Sequence, residues 1–241
     1  MPANPSLPPQ PGTLSQPPRW CGVVLWLFVM ALFLAALRLF VPSWSNSAWP
    51  DAILLIFGVA ASVASLARQL PTPNVILAGV VAAVLGGLAH AVNDVTGWPF
   101  GRFEFNAPIG PRIVNLLPVA MLAIWVMTAL TSRGAARRLL HRSRSHPLHG
   151  YRVIGLATVL MTLFAMTLMP FGASARDWWT ATPTPILNWA GWGSVGLLIQ
   201  VAITPLLIDK FPGPRPPNLW PLMVWGLTTA FLALGLLVRL P

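Results

Sequence analysis

Four ionisable side chains stand where polar breaks interrupt a very apolar chain: His90, Asp94, Glu104 and Asp177. The sequence holds only five acidic residues in 241, so each carboxylate here is a candidate for proton chemistry. His90 and Asp94 are four residues apart, a spacing that puts both on one helix face within hydrogen-bonding reach. A charge at mid-membrane costs about 2.5–3.5 kcal/mol on insertion scales, which marks an ionisable residue there as a functional candidate. Near a span end the cost falls, and a helix-end His capped by Asp accounts for the pair about as well.

The run Thr96-Gly97-Trp98-Pro99-Phe100-Gly101 reads as a tight, aromatic-lined turn. Glycine admits positive φ and close backbone approach, and proline fixes φ. Beyond it Phe103 and Phe105 alternate with Arg102 and Glu104, so an extended segment has one apolar and one charged side. An apolar ligand could lie on the first side with a proton donor nearby. A loop packed on helix ends, with an Arg102–Glu104 surface pair, is the plainer alternative. A second segment contains Asp177-Trp178-Trp179 and then Pro185-Ile186-Leu187-Asn188-Trp189-Ala190-Gly191-Trp192. Asn188 can hydrogen bond inside a membrane, and Trp189 and Trp192 lie three apart on one helix face. An interfacial anchor is the alternative there.

The elements that position these residues follow from composition. The chain is 56% hydrophobic and only 8% charged, with a mean hydropathy of +0.70. Ordinary soluble domains carry about a quarter charged residues. The apolar runs are about twenty residues long, the length that crosses a hydrocarbon core. They predict an all-α, polytopic transmembrane bundle with spans near 20–41, 51–67, 74–93, 111–131, 151–171, 186–208 and 218–240. Residues 1–18, rich in Pro, Ser and Gln, predict a disordered tail, and 19–241 a single transmembrane domain. Trp20, Trp44, Trp49, Trp98, Trp178, Trp179 and Trp220 fall near span ends, as an interfacial aromatic belt requires.

Arg133, Arg137, Arg138, Arg142 and Arg144 crowd the predicted loop between spans four and five, with Arg152 just after it. Arginine-rich loops stay cytoplasmic, which sets the N-terminus inside and the C-terminus outside. With Arg19, Arg68, Lys210 and Arg215 the inner set has ten basic residues. The outer set is Arg38, Arg102, Arg112, Arg176 and Arg239. Asp51, Asp94, Glu104 and Asp177 fall outside and only Asp209 inside. The segments 94–110 and 172–185 therefore share one membrane face and could form one site. The net charge of +10 is explained by anionic lipid headgroups and needs no nucleic acid.

Several chemistries are excluded. The one lysine, Lys210, lies in a loop, so no span offers a Schiff-base lysine for retinal. No two acids lie within five residues of each other, unlike the Asp-rich magnesium sites of diphosphate-using prenyltransferases. Phosphate-binding glycine loops and metal-ligand spacings are absent, and no metal or cofactor is implied. His141, His146 and His149 read as solvated members of the basic loop. Cys21 is a lone thiol at the start of the first span.

Together the two loop segments resemble the carotenoid biosynthesis membrane protein family, which includes the bisanhydrobacterioruberin and carotenoid 1,2-hydratases. Its first motif, Glu then Thr-Gly-x-Pro-Phe-Gly-x-Tyr-x-Tyr, is similar to His90, Thr96, Gly97, Pro99, Phe100, Gly101, Phe103 and Phe105, followed by Gly110, Pro118 and Trp125. Its second motif is similar to Met169-Pro170, Trp178, Pro185, Asn188, Trp189, Gly191 and Trp192. The resemblance covers about residues 74–208. The family Glu is His90 here, both tyrosines are phenylalanines, and the Asp before Pro170 is Met169.

The resemblance implies acid-promoted addition of water to a terminal isoprenoid C=C. Protonation gives a tertiary carbocation, aromatic faces stabilise it, and water captures it. His90, Asp94, Glu104 and Asp177 are then the catalytic candidates. Thr96, Gly97, Phe100, Arg102, Phe103, Phe105, Trp178, Trp179, Asn188 and Trp192 are the candidates for binding an apolar carotenoid or isoprenoid. Membrane lipids and other carotenoid-pathway enzymes are the expected partners, and a bacterial plasma membrane the expected location. With two family carboxylates replaced, a non-catalytic binder, transporter or assembly partner for an apolar lipid is the alternative.

Overall fold

The computed structural model describes residues 19–41, 49–106, 109–113, 117–143, 145–181, 185–208 and 218–238. The predicted tail, Trp44, Arg144, Asp209, Lys210, Arg215 and Arg239 lie outside them. Seven helices are long and apolar enough to cross a membrane, and the chain is an integral membrane protein. They are α1 (Arg19–Phe40), α2 (Trp49–Ala67), α3 (Thr72–Thr96), α4 (Val119–Leu139), α5 (His149–Ser174), α6 (Pro185–Ile203) and α7 (Trp220–Leu237). A 3-10 turn, Thr204–Leu207, prolongs α6.

Six spans start and stop within a few residues of the predicted runs. The fourth does not: it occupies Val119–Leu139 rather than 111–131. Pro111 and Pro118 explain the shift. Proline lacks the donor a helix interior needs and pushes its predecessor towards extended backbone. Accordingly, β2 (Arg112–Ile113) and β3 (Leu117–Pro118) pair antiparallel, and α4 begins directly after Pro118. The helix then runs through Gly134-Ala135-Ala136, so Arg133, Arg137 and Arg138 are helical and not loop residues. The basic connection shrinks to 140–148.

α4 is the central helix. Its most apolar window is 72% buried, against 28% for α1. Small residues make that possible, because in lipid helices associate through close packing and not through hydrophobic drive. Gly134 lies against Pro221 and Leu66, where a Cβ would overlap them. The buried hydroxyls of Thr128 and Thr131 donate to Ile124 O and Met127 O within α4, 2.6 Å each.

Alternation of the helices leaves two dissimilar ends. One, here the acidic end, carries the α1–α2, α3–α4 and α5–α6 connections with Asp51, Asp94, Glu104 and Asp177. The other, the basic end, carries Arg19, Arg68, Arg137, Arg138, Arg142 and Arg152, with Arg133 just inside it. At the acidic end β1 (Phe103–Phe105) pairs antiparallel with β4 (Trp179–Ala181), Glu104 opposite Thr180 and Phe105 opposite Trp179. The backbone N–H of Asn106 extends the ladder to Trp178 O at 2.8 Å. The two segments expected to share a face are thus directly hydrogen-bonded. The aromatic belt is smaller than predicted. Trp20, Trp49 and Trp98 are exposed, whereas Trp178 and Trp179 are buried, because the strand pairing draws them onto α5.

Candidate functional site

The end of α3 builds the first wall. Gly97 takes the left-handed conformation (φ 73°) and its N–H bonds Asn93 O, which stops the helix. Thr96 Oγ1 accepts from Trp98 N at 3.1 Å. Gly101, at φ 85°, then turns the chain back. Asn93 holds this loop: its Oδ1 accepts from Phe100 N at 2.7 Å, and its Nδ2 donates to Gly101 O at 2.8 Å. Phe100 is thereby driven inward onto His90.

His90 is the centre of an aromatic cluster. Its ring stacks on Phe100 with centroids 4.5 Å apart, and Phe105, Trp125 and Trp192 surround it at 5.9, 6.0 and 6.4 Å. Trp125 and Trp192 stack on each other at 3.9 Å. Two glycines make the room: a Cβ at Gly86 would enter the Trp125 ring, and one at Gly191 would overlap Pro99 O and the Phe100 ring. From α6, Asn188 Nδ2 donates to Phe100 O at 3.1 Å, tying the two motif segments together.

The second segment is fixed on α5. Trp179 lies over Gly172, donates its Nε1–H to Met169 O at 3.0 Å, and meets Phe105 edge-on at 6.4 Å. Trp178 packs edge-on against Phe171, 5.8 Å between centroids, and lines a cavity of about 20 Å³. That cavity is lined by Asp51, Leu54, Ile124, Phe164, Trp178 and Phe231 among others. Ile124 of α4 lines this cavity, and the next residue, Trp125, belongs to the aromatic cluster.

Of the sequence candidates, His90, Phe100, Phe105, Trp192 and Asn188 come together, with Trp179 alongside. Thr96, Arg102, Asp94, Glu104 and Asp177 are exposed at the acidic end and Gly97 is half-buried. His90 and Asp94 do not share surroundings, because the 97–101 loop covers the first and leaves the second outside. Asp177, at φ 52°, accepts from Asn106 Nδ2 at 2.8 Å. The Phe103 side chain lies outside what is described. Among the described residues no group of three His, Cys, Asp or Glu side chains is placed to hold a metal ion.

Sequence reasoning missed two sets of residues. Asn93 was overshadowed by its charged neighbour Asp94, although an amide can both donate and accept where a carboxylate cannot. The other is a buried ion cluster beside the cavity. Asp51 Oδ2 pairs with Arg38 Nη1 and, at 3.1 Å, with Arg176 Nε. Arg176 also donates to Ala35 O at 3.3 Å and sits over the Phe171 ring, 5.3 Å from its centroid. Single opposite charges at the facing ends of spans one and two were the available signal for Arg38 and Asp51. Nothing local pointed to Arg176.

Four aromatic rings thus close around the His90 imidazole, the type of surface that stabilises a cation. Residues 51–240 match the model of a protein family described as carotenoid biosynthesis protein. No curated protein and no solved structure matches.

Proposed function

This chain belongs to the carotenoid biosynthesis protein family, and from that premise we propose that it hydrates a terminal C=C of an acyclic carotenoid end group. The carrying observation is the enclosure of His90 by Phe100, Phe105, Trp125 and Trp192 at the seam between the two motif segments. In this reading the end group enters from the bilayer into the aromatic cluster. A proton adds to the less substituted alkene carbon, leaving a tertiary cation over the ring faces. Water adds to that cation and releases a proton, so one C–H and one C–O bond replace the π bond. His90 is the proton-transferring group at the centre. Asp94, Glu104 and Asp177 form the acidic rim that exchanges protons with water. The rim faces the outside of a bacterial plasma membrane, with the N-terminus and the basic end in the cytoplasm.

The test is expression in a bacterial host accumulating lycopene-type carotenoids, with pigments analysed by liquid chromatography and mass spectrometry. Wild type yields a pigment heavier by one water. His90→Phe, which keeps a ring in the stack, lowers that product about 100-fold or more, the usual worth of a general acid, while the protein still accumulates in the membrane. Unchanged product from His90→Phe and from all three rim variants to Ala overturns the mechanism.

A second reading, a non-catalytic binder, transporter or assembly partner for an apolar lipid, is favoured by one observation. The three rim carboxylates are exposed, and the one buried carboxylate among the described residues, Asp51, is held between two arginines. Turnover by purified protein eliminates it. The same pigment analysis identifies the substrate, and a pull-down from that host tests for partnership with other carotenoid-pathway enzymes.

A further inference from the structure

The four rings around His90 differ in how they are held. Phe100, Trp125 and Trp192 are at most 1% exposed, whereas Phe105 is half-buried and reaches the surface. Phe100 is fixed at both of its backbone polar groups. Asn93 of α3 accepts from its N–H and Asn188 of α6 donates to its carbonyl, and both side chains are buried. Trp125 of α4 and Trp192 of α6 stack on each other. Phe105 is held instead through β1, a strand of three residues paired with β4.

β4 is the fixed side of that pair. Trp179 is 1% exposed, lies over Gly172 and donates to Met169 O, and the Trp178 N–H bonds Gly172 O at 2.8 Å. The further ties of β1 lie at the surface. Asn106 Nδ2 donates to Asp177 Oδ1 at 2.8 Å and to Thr180 Oγ1 at 3.3 Å, and the exposed Arg112 donates to Phe105 O. A two-stranded pair is marginal in water on its own, and segments with exposed backbone hydrogen bonds open locally at the least cost. His90 is 3% exposed, so a ligand reaches it only when a wall moves, and Phe105 is the wall with the weakest hold.

We propose that β1 is a gate: it peels from β4 and carries Phe105 off His90, opening the aromatic cluster at the acidic end to an apolar chain end, with Asn106 on Asp177 as the latch. The gate rests on the reading that the cluster takes an isoprenoid end group, and it gives Asp177 a positioning role.

The test places a thiol inside the gate and a disulfide across it. His90→Cys supplies the thiol. Glu104→Cys with Thr180→Cys supplies the disulfide, since the two positions are opposite in the ladder and both exposed. The full chain in nanodiscs is treated with N-ethylmaleimide, and alkylation at position 90 is followed by peptide mass spectrometry. The buried Cys21 is the internal reference for a closed site. With the pair reduced, position 90 is expected to label well ahead of Cys21, and with the pair oxidised its rate falls to that of Cys21. Asn106→Ala is expected to speed labelling of the His90→Cys protein about threefold, the worth of one surface hydrogen bond. Phe105→Ala restores labelling in the oxidised protein, because the ladder then has no ring to hold in place. Equal labelling of position 90 with the pair oxidised and reduced overturns the gate, as does protection that Phe105→Ala leaves unchanged. Should His90→Cys fail to fold, Phe100→Cys carries the thiol. The hydration reading is scored separately by the pigment assay with His90 in place. Redox-dependent labelling without a hydrated pigment keeps the gate and discards hydration, and a hydrated pigment with equal labelling discards the gate alone.

Discussion

The two ends of the bundle bury arginine equally deeply but answer the charge differently. Arg38 and Arg176 are 8% and 7% exposed and share the carboxylate of Asp51; Arg133 is 5% exposed, with no carboxylate beside it among the described residues. At the acidic end the compensation is internal, and its effect is mechanical. Asp51 at the start of α2 fastens the end of α1 and the segment just after α5, three segments that lipid-facing apolar surfaces would not select. At the basic end no described carboxylate does the same for Arg133. A buried ion therefore reports what it is for through its partner and not through its burial.

The largest expected effect breaks the internal cluster. Asp51→Ala leaves two buried guanidinia without their counter-ion, and removing one member of a buried ion group costs about 3–5 kcal/mol. The expected outcome is loss of folded, monodisperse protein on extraction, read by size-exclusion chromatography and thermal unfolding. Near-wild-type stability would mean the cluster contributes nothing to holding α1, α2 and α5.

A smaller effect is expected at Asn93, where the aromatic site is tied to its helix. Asn93→Ala strips Phe100 N–H and Gly101 O of their side-chain partners, at about 1–3 kcal/mol for the groups left unsatisfied. The loop carrying Phe100 loosens over His90, so product or ligand retention falls along with stability. Replacing the whole ion cluster by apolar residues, Arg38→Met with Asp51→Leu and Arg176→Met, sharpens the contrast. Swaps of that kind range from neutral to stabilising by about 1–4 kcal/mol, so the triple variant should unfold well above Asp51→Ala. A triple variant as damaged as the single would assign the cluster a role beyond neutralising charge. The smallest effect belongs to Asp94→Ala. An exposed side chain away from special features shifts stability by about 0.5 kcal/mol or less, and a lost product with unchanged unfolding would place Asp94 in the chemistry.

Neighbouring residues show how much of this was legible. The charge of Asp94 drew notice and the amide of Asn93 did not, because sequence displays chemical type while hydrogen-bond partners depend on how the 97–101 loop folds back. Trp178 and Trp179 have the composition of an interfacial anchor. Their burial follows from β4 pairing with β1, a contact between segments more than seventy residues apart that no local pattern encodes. The error at α4 had a readable cause. Pro118 is a helix boundary in the sequence, but hydropathy continues across it and misplaced the span by eight residues.

By itself the sequence determined that this is a seven-helix membrane protein with acidic and basic ends, because twenty-residue apolar runs and arginine placement answer to the bilayer alone. It also carried the family, since the Thr-Gly and Asn-Trp motifs are local strings. Only the tertiary structure decided that His90 is enclosed by four aromatic rings, that Asp51 is held by two arginines and that Arg133 stands apart from any described acid. Each of those depends on which helices meet around α4. In a membrane that choice rests on the fit of small residues such as Gly86, Gly134 and Gly172 against particular neighbours, and hydropathy is blind to it.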